Sequence, residues 1–163
     1  MSFDISSLGL EDVFRVAVRL EDEGIEFYKA ASEKVDSKRL RDVLDRLVVE
    51  EVEHRMIFQQ MATEHGIYLT PDPRSKEVSP QIMQALTEAG VFPPPEERDS
   101  AIGSLHSPAQ VLRFAIRVEK GSVHFYKPAA TAAESEKLRK TFDKILAQER
   151  RHVRLLSAEL KAL

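Results

Sequence analysis

Residues 21–54 read EDEGIEFYKAASEKVDSKRLRDVLDRLVVEEVEH, and residues 119–152 read EKGSVHFYKPAATAAESEKLRKTFDKILAQERRH. When the two stretches are aligned at a constant offset of 98 residues, no gap is needed, and four polar positions coincide. These positions are Glu21 and Glu119, Tyr28 and Tyr126, Glu51 and Glu149, and His54 and His152. A chance repeat would not preferentially preserve two carboxylates, a phenol and an imidazole. The pattern predicts a duplicated helical hairpin.

Hydrophobic periodicity predicts two helices in each copy, because apolar residues recur at three- and four-residue spacing. The expected bounds are about Leu10–Val35, Lys38–His65, Pro108–Ala133 and Ser135–Leu160. Serine caps at Ser37 and Ser107, and a glycine stop at Gly66, mark the ends. The predicted fold class is therefore all-α, as an up-and-down four-helix bundle. The chain would form a single domain over residues 1–163. This domain would consist of a hairpin at about 10–65, a crossover at 66–107 and a second hairpin at about 108–161.

The crossover is rich in proline and long for a compact domain. Ser79-Pro80 predicts a short helix that ends near Ala89, and the run from Val91 to Pro95 is expected to be extended. Pro128 lies inside the third long helix and should kink it or create a π-bulge. The duplication suggests an oligomer, because the first hairpin could pair with the second hairpin of its own chain or of a neighbour, and we expect a homodimer. The crossover is long enough to allow a swap, and the sequence leaves open whether hairpins are swapped between subunits.

Composition narrows the class of protein. The 163 residues are 42% hydrophobic and 31% charged, as in an ordinary globular domain. The net charge is −3, so the chain has no excess of positive charge that would indicate nucleic-acid binding. The absence of cysteine excludes disulfides and iron–sulfur clusters on this chain. The sequence begins without a signal peptide and contains no apolar run near the ~20 residues of a membrane span, so we expect a cytoplasmic protein that does not contact membranes.

The repeated polar residues lie on the apolar faces of their helices. A glutamate and a histidine three residues apart, such as Glu51 and His54, point to one side about 4.5 Å apart along the axis. A lone inward carboxylate is usually half of a structural ion pair, but four in one core would repel each other. Each would cost several kcal/mol unless paired, protonated or bound to a metal. Two cations would neutralise them, and carboxylates with one imidazole per metal suit iron or manganese, and zinc less specifically.

These residues resemble those of the ferritin-like diiron-carboxylate superfamily, and within it the rubrerythrin branch. The segment Phe125-Tyr126-Lys127-Pro128 adds to the resemblance, because rubrerythrins tend to carry a proline just after this tyrosine. The resemblance covers all four long helices and implies two iron ions, with manganese or zinc possible in their place. It implies two bridging glutamates, two terminal glutamates and one histidine for each metal. Glu51 and Glu149 would be the bridging ligands. Glu21 and Glu119 would be the terminal ligands, and His54 and His152 would each bind one metal. Tyr28 and Tyr126 would donate hydrogen bonds to ligand carboxylates across the bundle.

The chain differs from rubrerythrins proper in two ways. Those proteins carry a C-terminal rubredoxin domain, whereas this chain ends at Leu163 without cysteine, so we expect a separate electron-donor protein. They also carry an additional carboxylate about one turn beyond the first ligand of the third helix, where this chain has Gly121 and Ser122. The expected ligand set is therefore symmetric, with four glutamates and two histidines.

Three functions are compatible with such a site. The first is a redox enzyme that reduces hydrogen peroxide or dioxygen with external electrons and protects against oxidative stress. The second is a ferroxidase that binds and oxidises Fe(II) for storage or detoxification. The third is a non-enzymatic interaction module whose site is vestigial or filled by zinc. Five titratable residues beside the motifs are rotated off the inner faces and are expected to be solvated: Glu23, Glu26, Glu50, Glu53 and His124.

Overall fold

The computed structural model describes residues 3–69 and 78–163, apart from the side chains of Asp99 and Ile102. After a 3-10 turn at Ile5–Ser7, the described residues form six α-helices and no strand. They are α1 (Leu10–Lys34), α2 (Lys38–Glu64), α3 (Pro80–Glu88), α4 (Pro95–Ser104), α5 (Pro108–Ala132) and α6 (Glu136–Lys161). The all-α fold expected from the sequence is confirmed. No described helix is long and apolar enough to cross a membrane.

Side-chain caps and positive-φ glycines set the helix ends. The hydroxyls of Ser37, Ser79 and Ser135 each accept a hydrogen bond from the backbone N–H three residues on. Ser107 goes further, since it forms a capping box with Gln110 in which both partners are satisfied. Gly66 and Gly90 follow α2 and α3 with φ of 72° and 77°, a region that favours glycine.

Helices α1 and α2 pack as one hairpin and α5 and α6 as the other, and contact within a hairpin is much more extensive than contact between hairpins. The buried apolar residues form two clusters. One includes Phe14, Phe58 and Phe142, and the other includes Phe27 and Leu44. On every long helix a buried glutamate lies between the stretches that enter the two clusters. The polar residues therefore meet at the middle of the bundle, with apolar packing on both sides.

One crossover prediction was wrong, because Pro95 is the first residue of α4 rather than part of an extended run. Proline suits the first helical position, and Glu96 and Glu97 in the first turn favour the helix dipole. Helix α4 was not predicted, because its described residues are mostly exposed and no apolar stripe marks it. Expectations for residues 70–77 lie outside the described part of the chain. Of the two alternatives expected at Pro128, the π-bulge is absent, since α5 stays α-helical to Ala132, and the kink stays a prediction.

The crossover packs onto the bundle rather than standing away from it. Leu86, Val91 and Phe92 are buried in the cluster that also contains Phe125. The backbone at Val91 lies so close to Gly121 of α5 that a Cβ there would meet the Val91 carbonyl oxygen at 2.1 Å. Ion pairs extend this attachment, since Arg98 of α4 pairs with Glu23 of α1, and Arg117 of α5 pairs with Glu97. The crossover therefore covers α5 at the turn that carries Glu119.

Candidate metal centre

The six residues predicted as ligands converge in one buried cluster. Helices α1 and α5 supply one glutamate each, and α2 and α6 supply a glutamate and a histidine each. They are Glu21, Glu119, Glu51, His54, Glu149 and His152, and none is more than 3% exposed. Two carboxylates from one hairpin and two from the other are thus removed from water together.

Both histidines direct Nδ1 toward the carboxylates. Nδ1 of His54 lies 2.8 Å from Oε1 of Glu149, 3.2 Å from Oε2 of Glu51 and 3.6 Å from Oε2 of Glu21. The two rings lie nearly parallel, with centroids 5.8 Å apart. A ring nitrogen that faces three carboxylates is placed to bind a cation that they share.

The surroundings of His152 follow the same plan at the 98-residue offset. Its Nδ1 lies 3.2 Å from Oε1 of Glu51, 3.3 Å from Oε2 of Glu119 and 3.7 Å from Oε2 of Glu149. Each contact of His54 therefore has its equivalent around His152. The duplication seen in the sequence is preserved in the geometry of the cluster.

Two overlapping groups of donor atoms result. One consists of Glu21, Glu51, His54 and Glu149, and the other of Glu51, Glu119, Glu149 and His152. Within each group the donor atoms lie within 4.8 Å of one another. Glu51 and Glu149 belong to both groups. The arrangement can hold two metal ions that share two carboxylates.

The carboxyl groups show the electrostatic cost of this crowding. Burial raises the pKa of Glu21 well above 4.5, and the neighbouring carboxylate of Glu51 raises it further. Burial, with the charges of Glu119 and Glu21, raises the pKa of Glu149 to about 8. Burial also acts on Glu119, but hydrogen bonds with His152, Glu149 and Tyr28 outweigh it and lower the pKa of that carboxyl. Without a metal ion, the cluster therefore retains protons on some carboxyls at neutral pH.

The pKa values of the two histidines are raised, although burial alone would lower them. Burial alone lowers the pKa of His54, but the nearby carboxylates of Glu149, Glu21 and Glu51 outweigh it and raise the pKa above 6.5. His152 behaves alike, with the nearby carboxylates of Glu119, Glu149 and Glu51 as the stronger influence. In the metal-free chain, protons on both imidazoles thus take the place that cations can fill.

Two buried oxygens indicate that these residues fit a metal. Oε1 of Glu51 and Oε1 of Glu149 have no hydrogen-bond partner among the described atoms. Each is close to an Nδ1, at 3.2 Å from His152 and 2.8 Å from His54, but not in hydrogen-bonding geometry. A buried acceptor left without a partner costs about 1–3 kcal/mol. Both oxygens belong to the shared glutamates, where a cation could bind oxygen and ring nitrogen together.

The two tyrosines reach across the bundle. The hydroxyl of Tyr28 on α1 donates to Oε1 of Glu119 on α5, and the hydroxyl of Tyr126 on α5 donates to Oε1 of Glu21 on α1. Both side chains are fully buried. Burial, and then the charge of the partner carboxylate, raises the pKa of each tyrosine well above 10. The hydroxyls therefore stay protonated and act as hydrogen-bond donors.

Two polar contacts were not anticipated from the sequence. Oε2 of Glu50 lies 2.7 Å from Nε2 of His152, and Oε1 of Gln148 lies 3.1 Å from Nε2 of His54. Each outer partner directly precedes a cluster glutamate in the sequence and serves the histidine of the opposite hairpin. The two positions coincide at the 98-residue offset, which marks them as a matched pair but does not show which histidine each one contacts.

The expectation of solvation was wrong for Glu50 and Glu23. Both side chains are mostly buried, at 18% and 15% exposed, and Glu23 is paired with Arg98 and Arg19. The pKa of Glu23 is raised, chiefly by burial. The other three residues expected to be solvated, which are Glu26, Glu53 and His124, are exposed.

Fold and cluster together define a class: ferritin-like helical bundles with a buried carboxylate–histidine cluster able to hold metal ions. The chain belongs to the rubrerythrin family, whose sequence model matches residues 12–160. A hypothetical protein from Pyrococcus furiosus has a solved structure similar to this one, with a TM-score of 0.68 and 17% sequence identity. The similarity covers 98% of this chain and 94% of that chain, and at this identity it shows the fold alone. No curated protein matches the chain in sequence.

Proposed function

We propose that this chain is a redox protein with two iron ions, which reduces hydrogen peroxide or dioxygen with electrons from a separate donor protein. The observation that carries the proposal is the pair of buried donor groups that share Glu51 and Glu149. Membership of the rubrerythrin family supports it. Manganese or zinc could occupy the same donors.

Charge balance is consistent with two divalent ions. Four ionised glutamates carry four negative charges, which two divalent cations neutralise while both histidines remain neutral ligands. With a single divalent ion, two protons would have to stay on the carboxyls or imidazoles to compensate the remaining buried charge. The same balance explains why the metal-free cluster holds protons instead.

We assign the ligand roles from the two donor groups. Glu51 and Glu149 would bridge, because they belong to both groups. Glu21 and Glu119 would each bind one ion as terminal ligands. His54 and His152 would each bind one ion through Nδ1, the nitrogen that faces the carboxylates.

The chain's own residues would orient these ligands and keep water out. The hydroxyls of Tyr28 and Tyr126 hold one oxygen of each terminal carboxylate, which leaves the other oxygen to bind. Phe58 and Phe142 pack against Tyr126 with ring centroids 5.2 and 6.1 Å away, and close one side of the cluster with apolar surface. A dry site strengthens every electrostatic interaction within it.

When bound, two Fe(II) ions supply one electron each, so that one hydrogen peroxide and two protons give two waters, or one dioxygen and two protons give one hydrogen peroxide. The separate donor then returns two electrons. This donor is part of the proposal, because the 163 residues contain no cysteine that could bind a second, electron-delivering iron centre.

Stopped-flow oxidation tests the proposal. The metal-free protein is loaded with two Fe(II) per chain and mixed with hydrogen peroxide or with dioxygen, and bound iron is counted afterwards. Much faster oxidation by peroxide that stops at two irons supports a peroxidase. Failure to bind iron stoichiometrically would contradict the diiron centre and leave zinc, manganese or a non-enzymatic bundle.

Matched variants connect the result to the cluster. Glu51→Gln removes the charge of a shared ligand at nearly constant size and should abolish rapid oxidation. Glu53→Gln makes the same change on an exposed residue of the same helix and should leave it intact. Equal rates in the two variants would place the oxidation elsewhere.

Ferroxidase activity is the second candidate, and one observation favours it. The cluster is symmetric, and buried Ser122 stands where rubrerythrins proper are expected to carry an additional carboxylate. Rapid oxidation by dioxygen with continued loading beyond two irons per chain would select this function over the peroxidase.

A further inference from the structure

The two histidines differ in the group that their outer nitrogen meets. The acceptor for Nε2 of His152 is a carboxylate oxygen of Glu50, whereas the acceptor for Nε2 of His54 is the amide oxygen of Gln148. Glu50 and Gln148 are 98 residues apart and occupy equivalent positions in the two copies. The repeat has kept the hydrogen bond and changed the charge of its acceptor.

Glu50 is fixed in this contact by a second partner. The same oxygen that lies 2.7 Å from His152 also forms an ion pair with Arg151. At the position equivalent to Arg151, the first copy has Glu53, which is exposed and of opposite charge. A carboxylate–guanidinium pair therefore supports one imidazole but not the other.

This difference changes the strength of the two ligands. A histidine that binds a metal through Nδ1 keeps its proton on Nε2 and donates it outward. A carboxylate acceptor makes a charge-assisted bond about twice as strong as a bond to a neutral carbonyl. The ring of His152 is thereby the stronger electron-pair donor. Altering such outer partners changes metal affinity about 10–100-fold, and partial neutralisation by Arg151 favours the lower end.

We propose that Glu50 makes the two metal positions unequal, so that the position served by His152 takes up the first divalent ion with a preference of about tenfold. This inference rests on the dinuclear centre proposed above. Glu50 acts as a positioning residue, because its carboxylate contacts His152 and not the four carboxylates of the cluster.

Cobalt(II) provides a test that does not depend on activity, because a bound Co(II) ion shifts the proton resonances of its histidine ligands. A small fraction of one equivalent is added to the metal-free protein, so that chains holding two ions are rare, and the Nε2–H resonances are followed by proton NMR in water. Glu50→Gln should displace the resonance of His152, and Gln148→Glu that of His54, which assigns the two signals. The wild-type protein should show about ten times more of the His152 signal than of the His54 signal.

Two variants and a control sharpen the test. Glu50→Gln gives both histidines an amide partner and should bring the signal ratio close to one. The double exchange of Glu50→Gln with Gln148→Glu keeps the net charge and should move the preference to His54. Glu53→Gln matches the charge change on an exposed residue and should leave the ratio unchanged.

The outcomes separate this inference from the proposed function. A wild-type ratio near one, or a preference that stays with His152 in the double exchange, overturns the role of Glu50 while the dinuclear centre stands. Failure to bind two Co(II) per chain overturns the dinuclear centre as well. If Glu50→Gln does not fold, Gln148→Glu alone should still bring the ratio toward one, because both histidines then have a carboxylate partner.

Discussion

Replacing Gly121 with alanine should destabilise the protein through its contact with the crossover. An ideal Cβ at this position lies 2.1 Å from the Val91 carbonyl oxygen and 3.1 Å from the carbonyl carbon. Contacts of this kind are not found below 3.0 Å, so the crossover and α5 must separate by about 1 Å. The neighbour that must move is backbone, which cannot rotate away as a side chain can.

The magnitude is the difference between two effects. Overpacking of a well-packed core typically costs about 1–3 kcal/mol, and rigid backbone places this site in the upper part of that range. Alanine is favoured over glycine inside a helix by about 1 kcal/mol. We expect a net loss of about 1–2 kcal/mol in the free energy of unfolding, which lowers Tm by about 2–8 °C for a chain of this size.

Thermal unfolding of the metal-free protein, followed by circular dichroism, measures this loss. Gly24→Ala is the matched control, because Gly24 is also buried within a long helix but its Cβ would make only ordinary contacts, at 3.6 Å from Cγ of Glu51. That variant should be as stable as the wild type or slightly more stable. Val91→Ala should not rescue Gly121→Ala, because the obstructing atom is a carbonyl oxygen. If Gly121→Ala were as stable as Gly24→Ala, the close packing of the crossover on α5 would be refuted.

Three further predictions concern the cluster and the surface. In the metal-free chain, the free energy of unfolding should fall as pH rises from about 6.5 to 8. Folding raises the pKa of Glu149 to about 8 and that of both histidines above 6.5, so the folded state holds protons that the unfolded state releases. Calorimetry in a chelator should show this slope, and metal loading should abolish it. Tyr126→Phe leaves Glu21 without its donor and should weaken metal binding about tenfold in a titration, whereas Tyr68→Phe, at an exposed ring, should not. The homodimer stays a prediction: Val49 and Met56 are 57% and 60% exposed on one face of α2, so Met56→Lys should shift a dimer toward monomer in sedimentation, and a monomeric wild-type protein would contradict it.

The repeat made the centre of the bundle predictable. A glutamate and a histidine three residues apart on an apolar stripe must point inward. The same spacing on an apolar stripe recurs in the second copy. The six cluster residues could therefore be named before their contacts were known. Equivalent residues of the two copies are related by one offset, and the resemblance to rubrerythrins predicted that each tyrosine donates a hydrogen bond across the bundle.

The outer partners could not be predicted in the same way. Periodicity gives the face on which Glu50 and Gln148 lie, at the border between inner and outer surface, but not which neighbour comes within reach. Their contacts depend on how closely α2 and α6 approach each other, which is a property of the docked hairpins. Helix α4 was missed for a different reason, since a helix exposed on most sides has no apolar stripe to reveal it.

Each hairpin supplies a tyrosine that contacts a glutamate of the other hairpin, and a polar residue that contacts its histidine. The cluster can therefore form only at a particular stage of folding. Each hairpin can bury its apolar stripe early, through contacts between residues close in sequence. The carboxylates of the two hairpins come together only when the hairpins dock, so the proposed metal uptake would belong to the last step of folding. Bound metal ions would then join two halves that also share both apolar clusters. The rate at which a chelator removes the metal would, in consequence, measure how often the two halves separate.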